Sequence, residues 1–430
     1  MTPSTDSSAN IRRIGLSLGA DLCWPKCFED ILADLDPTVS VEGPSGKKEK
    51  VRFEVERMSI EPFELLQPAK YDLVIDRLTH WYHTSREWIK KAVILDGVYV
   101  FNNPWSVQSM EKQTTYCAMM KLGMPIPKTL LLPPKEYEES ADLQRTLESY
   151  AQLFDLKEVG ERIGYPLFMK PYDGGGWVGV SKIDNAEELA ASYDTSGKFV
   201  MHLQKGVVPY EAFVRGVGIG PQVRCIRYDP SAPLHQRYTE EADDLFVDSM
   251  TEDDLQVMRD TTLTINSFFG WDFNSCEALL NDGVWHPIDF ANPCPDSQVT
   301  SLHLHFPWIV LAKMKWGLFC AATKRRFRQN LHWQPYWDVA QEDLPYREKL
   351  RRYAQIANRR FETDRFEEFC ATELKNLDET AYEYFESDRA KDAVRIKVEA
   401  VFPENEWDEF TDYFWDKIQV WRLREGQKPA

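Results

Sequence analysis

Two rhythms of apolar and polar positions run through the N-terminal quarter of the chain. Ile11–Leu18 is a short apolar-rich run that reads as a strand, a turn follows at Gly19 and Asp21, and Phe28–Leu35 carries helical spacing. Val41–Lys50 (VEGPSGKKEK) reads as a polar loop. Arg52–Ile60 alternates with period two, Tyr71–Ile75 (YDLVI) is a short buried strand, Arg86–Leu95 is helical, and Val98–Phe101 is a further strand. Strands that alternate with helices predict a parallel, doubly wound α/β sheet over 11–104, after a disordered tail at 1–10.

The rhythm then becomes mixed. Ser106–Leu122 is predicted helical and is closed by Gly123 and Pro125. Lys128–Leu132 is a strand, Tyr137–Ile163 a helix broken once, and Leu167–Lys170 and Val178–Ile183 are strands on either side of a glycine run. Ala186–Tyr193 is a helix capped by Asp184 or Asn185, and Phe199–Gln204 is a strand. Further strands are expected at Tyr210–Gly216, Gln222–Tyr228, Ser275–Leu280 and Val284–Phe290. Beyond Leu302 the pattern is helical and rich in aromatic residues. The expected class is α/β plus α+β, with an α/β domain at 11–104, a mixed unit at 105–302, which the resemblance given below divides into 105–205 and 206–302, and a helical extension at 303–430.

Composition narrows the function. With 51 Lys and Arg against 69 Asp and Glu in 430 residues, the formal net charge is -18. A field of that sign disfavours a nucleic-acid or anionic-membrane partner. No apolar run reaches the ~18 residues of a membrane helix, and the polar N-terminus lacks a signal core, so a cytoplasmic protein is expected. Eight dispersed Cys suit a reducing compartment. Cys23 and Cys27 have no second Cys/His pair at zinc spacing and read as two small packing residues.

Three stretches can carry chemistry. In PLFMKPYDGGGWVGV (166–180) a strand delivers Lys170 to a turn holding Gly174, Gly175 and Gly176. Glycines let backbone N–H groups approach a phosphate, and a lysine supplies a point charge. The run opens a strand rather than a helix, so it is neither a Walker A loop nor a Rossmann fingerprint. By itself it is equally a glycine-rich hairpin with a surface lysine. In NSCEALLNDGVWHPIDFANPCPD (274–296) two strands joined by Asn281-Asp282-Gly283 bring Glu277 and Asp289 toward one face, with Asn292 close by. Two carboxylates and an amide oxygen are the hard ligands Mg²⁺ prefers, unless both acids are simply solvated. In YEAFVRGVGIGPQVRCIRYDP (210–230), Arg215, Arg224 and Arg227 lie on strands; arginine suits bidentate recognition of carboxylate or phosphate, and at least one of the three is expected at the surface.

In order and spacing these pieces resemble the ATP-grasp superfamily: SMEKQTTY (109–116), LGMPIPKTL (122–130), IGYPLFMKPYDGGGWVGVSKI (163–183), FVMHLQKGV (199–207), YEAFVRGVGIG (210–220) and the acidic hairpin. The resemblance covers about residues 100–300, and 11–104 looks like the α/β domain that commonly precedes such a module. It implies an ATP-grasp module made of two α+β subdomains, with ATP and Mg²⁺ as cofactors. Lys112 and Lys170 then look like the phosphate lysines, and Gly174, Gly175 and Gly176 like a loop over the triphosphate. Gln204, Lys205, Gly206 and Val207 look like the adenine linker, with Glu211 at the ribose. Glu277, Asp289 and Asn292 look like the metal ligands, and Arg215 like the arginine near the γ-phosphate, a role Arg224 or Arg227 could share. One departure stands out. The family's hairpin commonly ends E-x-N, whereas IDFANP reads D-x-x-N, and one extra residue turns side chains to the other face of an ideal strand. A bulge would restore the geometry.

The resemblance implies ATP-dependent joining of a carboxylate to an amine through an acyl phosphate, with small-molecule amino acid or peptide substrates. A phosphotransferase and a non-catalytic nucleotide-binding protein are the alternatives. A homodimer accords with general frequency. His303-x-His305 reads as packing rather than metal binding, Lys324–Arg328 (KRRFR) as cations at a helix C-terminus, and the aromatics of 402–426 as packing. Asp76-Arg77 ends a strand at the edge where open α/β sheets bind ligands, so Arg77 and THWYH (79–83) are expected to line a substrate pocket.

Overall fold

The structure is a computed structural model and describes residues 10–43, 46–59, 62–78, 82–109, 111–150, 153–173, 178–233, 236–238 and 250–425. It is a mixed α/β protein built on three sheets. The first holds β1 (Asn10–Ser17), β2 (Val39–Glu42), β3 (Lys48–Arg57), β4 (Leu73–Asp76) and β5 (Tyr99–Phe101) in the order β2-β3-β1-β4-β5. β3, β1, β4 and β5 run parallel, and β2 is antiparallel to β3. The expected polar loop at 41–50 is thus partly a hairpin: Val39 and Val41 alternate inward, and the lysines lie on the exposed start of β3. Asn10, expected in the tail, already pairs with Val51.

A parallel sheet needs cover on both faces. Ile14, Leu16, Leu73 and Ile75 pack with Trp24, Cys27, Phe28 and Ile31 of the helix Cys23–Leu35, whose apolar residues recur at helical spacing. Cys23 and Cys27 are buried there as free thiols. The same face is closed by the helix Phe306–Ala322, where Gly317 comes within van der Waals reach of Leu73 and Ile75. The alternate residues Val74 and Val100 pack on the other face with Ile89 of the helix His83–Lys91.

The second sheet is antiparallel, with β6 (Thr129–Leu132), β7 (Leu167–Pro171), β8 (Ser181–Ile183) and β9 (Met201–Lys205) in the order β6-β9-β7-β8. Leu167, Met169 and Leu203 bury one face with residues of the helices Leu156–Ile163 and Ala186–Asp194. That leaves Phe168, Lys170, His202 and Gln204 on the other. The third sheet, also antiparallel, holds β10 (Ala212–Ile219), β11 (Gln222–Arg227), β12 (Phe273–Asn281) and β13 (Val284–Pro293) in the order β11-β10-β12-β13.

The helix Glu252–Phe269, which the sequence reading passed over, covers one face of the third sheet. Thr251 and Asp254 form a reciprocal capping box at its start and Gly270 closes it in the left-handed region. The glycines of RGVGIG set how closely it lies. A Cβ at Gly216 would stand 2.2 Å from Thr262 Oγ1, and one at Gly218 2.3 Å from Asn266 Nδ2. Gly220, at φ +57°, turns the chain into β11 with the Trp316 ring where a Cβ would be, at 2.3 Å. Toward the C-terminus, residues from Tyr384 to Trp421 join the same hydrophobic core as Ile14 and Leu73. Among the described residues no helix is long and apolar enough to cross a membrane.

Gly220→Ala combines a left-handed backbone, which costs an L-residue about 1–2 kcal/mol, with overlap on a buried indole. Its urea midpoint should fall by the equivalent of at least about 2 kcal/mol; an unchanged midpoint would show that Trp316 does not fix this turn.

Candidate active site

The site lies between the inner faces of the second and third sheets. Its frame is a row of charged residues set by strand register: Arg215 on β10 lies opposite Glu277 on β12, and Glu277 lies opposite Asp289 on β13. Directly opposed residues in antiparallel strands share a face, so the three side chains stand in line. Beyond Asp289 the strands fall out of step. β12 advances two residues, from Glu277 to Ser275, while β13 advances three, from Asp289 to Asn292. This bulge absorbs the extra residue of D-x-x-N. Asn292 lies opposite Ser275, which shares a face with Glu277, so the amide returns to the side of the two acids.

One side chain stitches the bulge. Asn274 Oδ1 accepts the Asn292 backbone N–H at 3.0 Å, and its Nδ2 donates to the Phe290 carbonyl at 3.1 Å and to Asn266 Oδ1 at 2.9 Å. A second irregularity, between Glu277 and Ala278, makes Ile288 an extra residue of β13. The Ile288 carbonyl accepts from Lys170 Nζ at 2.8 Å and from the Tyr116 hydroxyl at 2.6 Å. The departures from a regular ladder are therefore what join β13 to the second sheet and to the helix Lys112–Lys121.

Lys170 is buried and donates also to Gln204 Oε1 at 2.9 Å; Gln204 Nε2 in turn donates to Thr129 Oγ1 at 2.9 Å. Burial lowers its pKa to about 8, with Lys112 adding to the effect against the pull of Asp289 and Glu277. Lys112 Nζ lies 3.4 Å from Asp289 Oδ2. His202, opposite Lys170 in the ladder, meets Gln113 Oε1 at 3.0 Å; burial and the two lysines hold its pKa down at about 4, so the ring is neutral. Burial raises the pKa of Glu277, Asp289 adds to this, and Arg215 and the lysines oppose it.

Asp289 Oδ1, Ser275 Oγ and Arg215 Nε are buried without a hydrogen-bond partner among the described residues. Orphaned polar atoms along a row of half-buried acids are a place for a cation and an anion to complete. Glu277, Asp289 and Asn292 offer the hard oxygen donors that a divalent ion takes. Among the described residues no three of His, Cys, Asp or Glu converge as a metal site, and in this row the third oxygen donor is an amide.

The other residues singled out from the sequence are not all in this row. Arg215 is held by Tyr238, whose hydroxyl accepts its NH1. Arg224 shares Arg215's face but donates to His305 Nδ1 at 3.0 Å and pairs with Glu425. Arg227 lies opposite Val214, which puts it on the other face. Glu211 accepts the Asp282 N–H at 2.9 Å and closes the hairpin turn. The N–H groups of Lys205 and Gly206 already donate to the carbonyls of Lys128 and Pro166, and Val207 packs on the core. Gly174, Gly175 and Gly176 lie outside the described residues, as do residues 79–81 of THWYH. Arg77 is committed to Asp21, at 3.1 Å, and to the Pro295 carbonyl. His303 and His305 are buried in a short 3-10 turn. Tyr116, His202, Ser275 and Asn274 were missed. Tyr116 is one helical turn after Lys112, a spacing that places both on one face and could have signalled it.

Removal of the Asn274 amide leaves the Asn292 N–H and the Phe290 carbonyl unpaired in a buried strand. Asn274→Ala should therefore destabilise the fold by about 2–3 kcal/mol and weaken divalent-ion binding, both readable by thermal melts with and without Mg²⁺. An unshifted melt would mean that the bulge holds without its stitch.

No family model matches the chain. Among curated proteins it is similar over part of its length to D-alanine–D-alanine ligases. That of Corynebacterium efficiens is 28% identical over 154 residues, 34% of this chain and 36% of the relative. That of Lactobacillus acidophilus is 25% identical over 114 residues, 25% of this chain and 29% of the relative. The chain thus matches about a third of the length of these curated relatives. Of solved structures, a RimK-domain ATP-grasp protein from Sphaerobacter thermophilus aligns over 70% of this chain and 97% of its own, at 11% identity and a TM-score of 0.45. The D-alanine–D-alanine ligase from Bacillus anthracis, complexed with ATP, aligns over 83% of this chain and 100% of its own, at 12% identity and a TM-score of 0.44. The likeness to the curated ligases is thus confined to stretches of 114 to 154 residues.

Proposed function

We propose that the chain is an ATP-dependent ligase that joins a carboxylate to an amine through an acyl phosphate, releasing ADP and phosphate. The observation that carries this reading is the in-register row Arg215, Glu277 and Asp289, with Asn292 returned to its face and Lys112 and Lys170 beside it. In this reading 11–104 is the domain that precedes the module, 105–205 and 206–302 are its two halves, and 303–430 is an added helical region. Substrates are amino acids or a small peptide, supported by the name of the curated relatives. Free thiols at all eight Cys accord with work in a reducing cytoplasm.

The reaction has two steps. A carboxylate oxygen attacks the γ-phosphorus and ADP leaves; the amine nitrogen then attacks the acyl carbon, phosphate leaves and the nitrogen gives up a proton. Little covalent chemistry falls to the protein, which positions groups and offsets charge. Glu277, Asp289 and Asn292 would hold Mg²⁺, which when bound neutralises phosphate oxygens. Lys112 and Lys170 approach the phosphates from the other side. Arg215, fixed by Tyr238, holds the oxygens on which charge grows. Gly174, Gly175 and Gly176 would close over the phosphates and keep water from the acyl phosphate. Because the Lys205 and Gly206 N–H groups are engaged, the linker would meet adenine through its carbonyls and Val207.

Two measurements test this. Incubation with Mg-ATP and an amino-acid panel, D-alanine included, should give ADP, phosphate and a condensed mass, and Asp289→Ala should lower the rate by about 100-fold or more. ADP with a phosphorylated metabolite and no condensed product would reject the ligase. For the second, Lys170 binds triphosphate as the cation, and its pKa of about 8 means that the cation is lost as pH rises. ATP affinity should therefore drop about tenfold between pH 7 and pH 9. Lys170→Arg, whose guanidinium stays charged, should flatten the profile; a flat profile in the native protein would remove Lys170 from the phosphates.

A further inference from the structure

The basic run KRRFR lies far from the row. Its residues Arg325, Arg326, Phe327 and Arg328 line a cleft with Tyr99, Asp272 and Arg360 at the start of β5 and just ahead of β12. Asp272 is five residues from Glu277, or about 16 Å along an extended strand. The cleft therefore does not belong to the site described above.

Its charge is out of keeping with the chain. Four arginines line it against one aspartate, in a protein of net charge -18. Attraction to a helix C-terminus accounts for Lys324 and Arg325, which directly follow the helix Phe306–Ala322. Arg325 is moreover spent: it donates to the Tyr99 hydroxyl at 3.0 Å, pairs with Glu362, and donates to the Arg360 carbonyl. Asp272 is engaged by the Tyr99 hydroxyl, at 2.9 Å. Neither fact provides for Arg326 and Arg328. Arg360 spends one nitrogen, NH1, on the Ser267 carbonyl and is shut in deeply enough that burial lowers its pKa, despite Asp272 nearby. Arg326 and Arg328 are exposed and make no hydrogen bond or ion pair among the described residues. Between them Phe327 is pinned edge-on to Tyr99, centroids 6.1 Å apart, and against Trp105 at 6.3 Å. The loop is anchored by its aromatic residue, and the two guanidinium groups flank that anchor.

We propose that this cleft binds a small phosphorylated anion, held by Arg326 and Arg328 from the loop and by Arg360 from the helix Tyr346–Phe361. Guanidinium groups arriving from two chain segments suit a tetrahedral group with several acceptor oxygens better than a planar carboxylate with two. The seat joins β5 of the N-terminal sheet to the entry of β12, so an occupant would also bear on the strand that carries Glu277.

The test is calorimetric titration of the full chain with inorganic pyrophosphate, without divalent ions. Arg326→Ala/Arg328→Ala, confined to an exposed loop, should weaken binding at least tenfold, while Lys170→Ala should keep that binding. Absence of binding to the native protein, equal isotherms for the native protein and the double variant, or loss in Lys170→Ala alone would each overturn the proposal. A thermal melt of the double variant equal to the native one verifies that it is folded; if it is not, Arg328→Gln alone is titrated by the same criterion.

Discussion

The arrangement depends on residues of β13 that have no partner of their own on β12. An unbroken ladder would put Asn292 on the face away from Glu277. The irregular register returns the amide to the acids and turns the Ile288 carbonyl toward Lys170 and Tyr116. Such a distortion leaves backbone groups unpaired, and Asn274 compensates with acceptor and donor atoms in one side chain. The gathering of the oxygen donors on one face, the placement of the buried lysine and the joining of the two sheets all follow from this local departure.

Close approach is the second constraint. Gly216 and Gly218 admit the helix Glu252–Phe269 onto one face of β10, and that helix supplies Asn266, which braces Asn274. The opposite face is thereby left to Arg215, whose row runs across to Asp289. At the other end of β12, Asn102 exchanges hydrogen bonds with the backbone of Phe273, at 2.7 Å each way, and fixes the strand to the N-terminal sheet. The acids thus sit on a hairpin whose first strand is clamped at its start and braced from behind, and whose second is distorted only where the distortion is used.

Much of this was legible in the sequence, where chemistry and local pattern coincide. Period-two alternation located most strands, and the Asn-Asp-Gly turn fixed the hairpin that carries Glu277 and Asp289. What escaped had a physical reason. The hairpin within 41–50 is charged on its exposed side, so its few inward valines did not stand out. The helix Glu252–Phe269 is buried through most of its C-terminal half, which blurs an amphipathic signal, although its capping box was present. The three arginines could not be sorted because facing depends on cross-strand register, which separates Arg227 from Arg215 and gives Arg224 to a C-terminal residue. Asn274 could not be recognised before the bulge it serves was known.

The helix Phe306–Ala322 closes one face of a sheet whose last strand ends at Phe101. During synthesis the part of that face that the helix Cys23–Leu35 leaves open waits for about 220 further residues, roughly 10–45 s of translation at ordinary ribosomal speed. The cover of the first strands made is therefore among the last parts to be completed. A nascent chain of this design offers an apolar parallel sheet to the cell for that interval, and its yield depends on chaperone occupancy and elongation rate as much as on the stability of the finished fold.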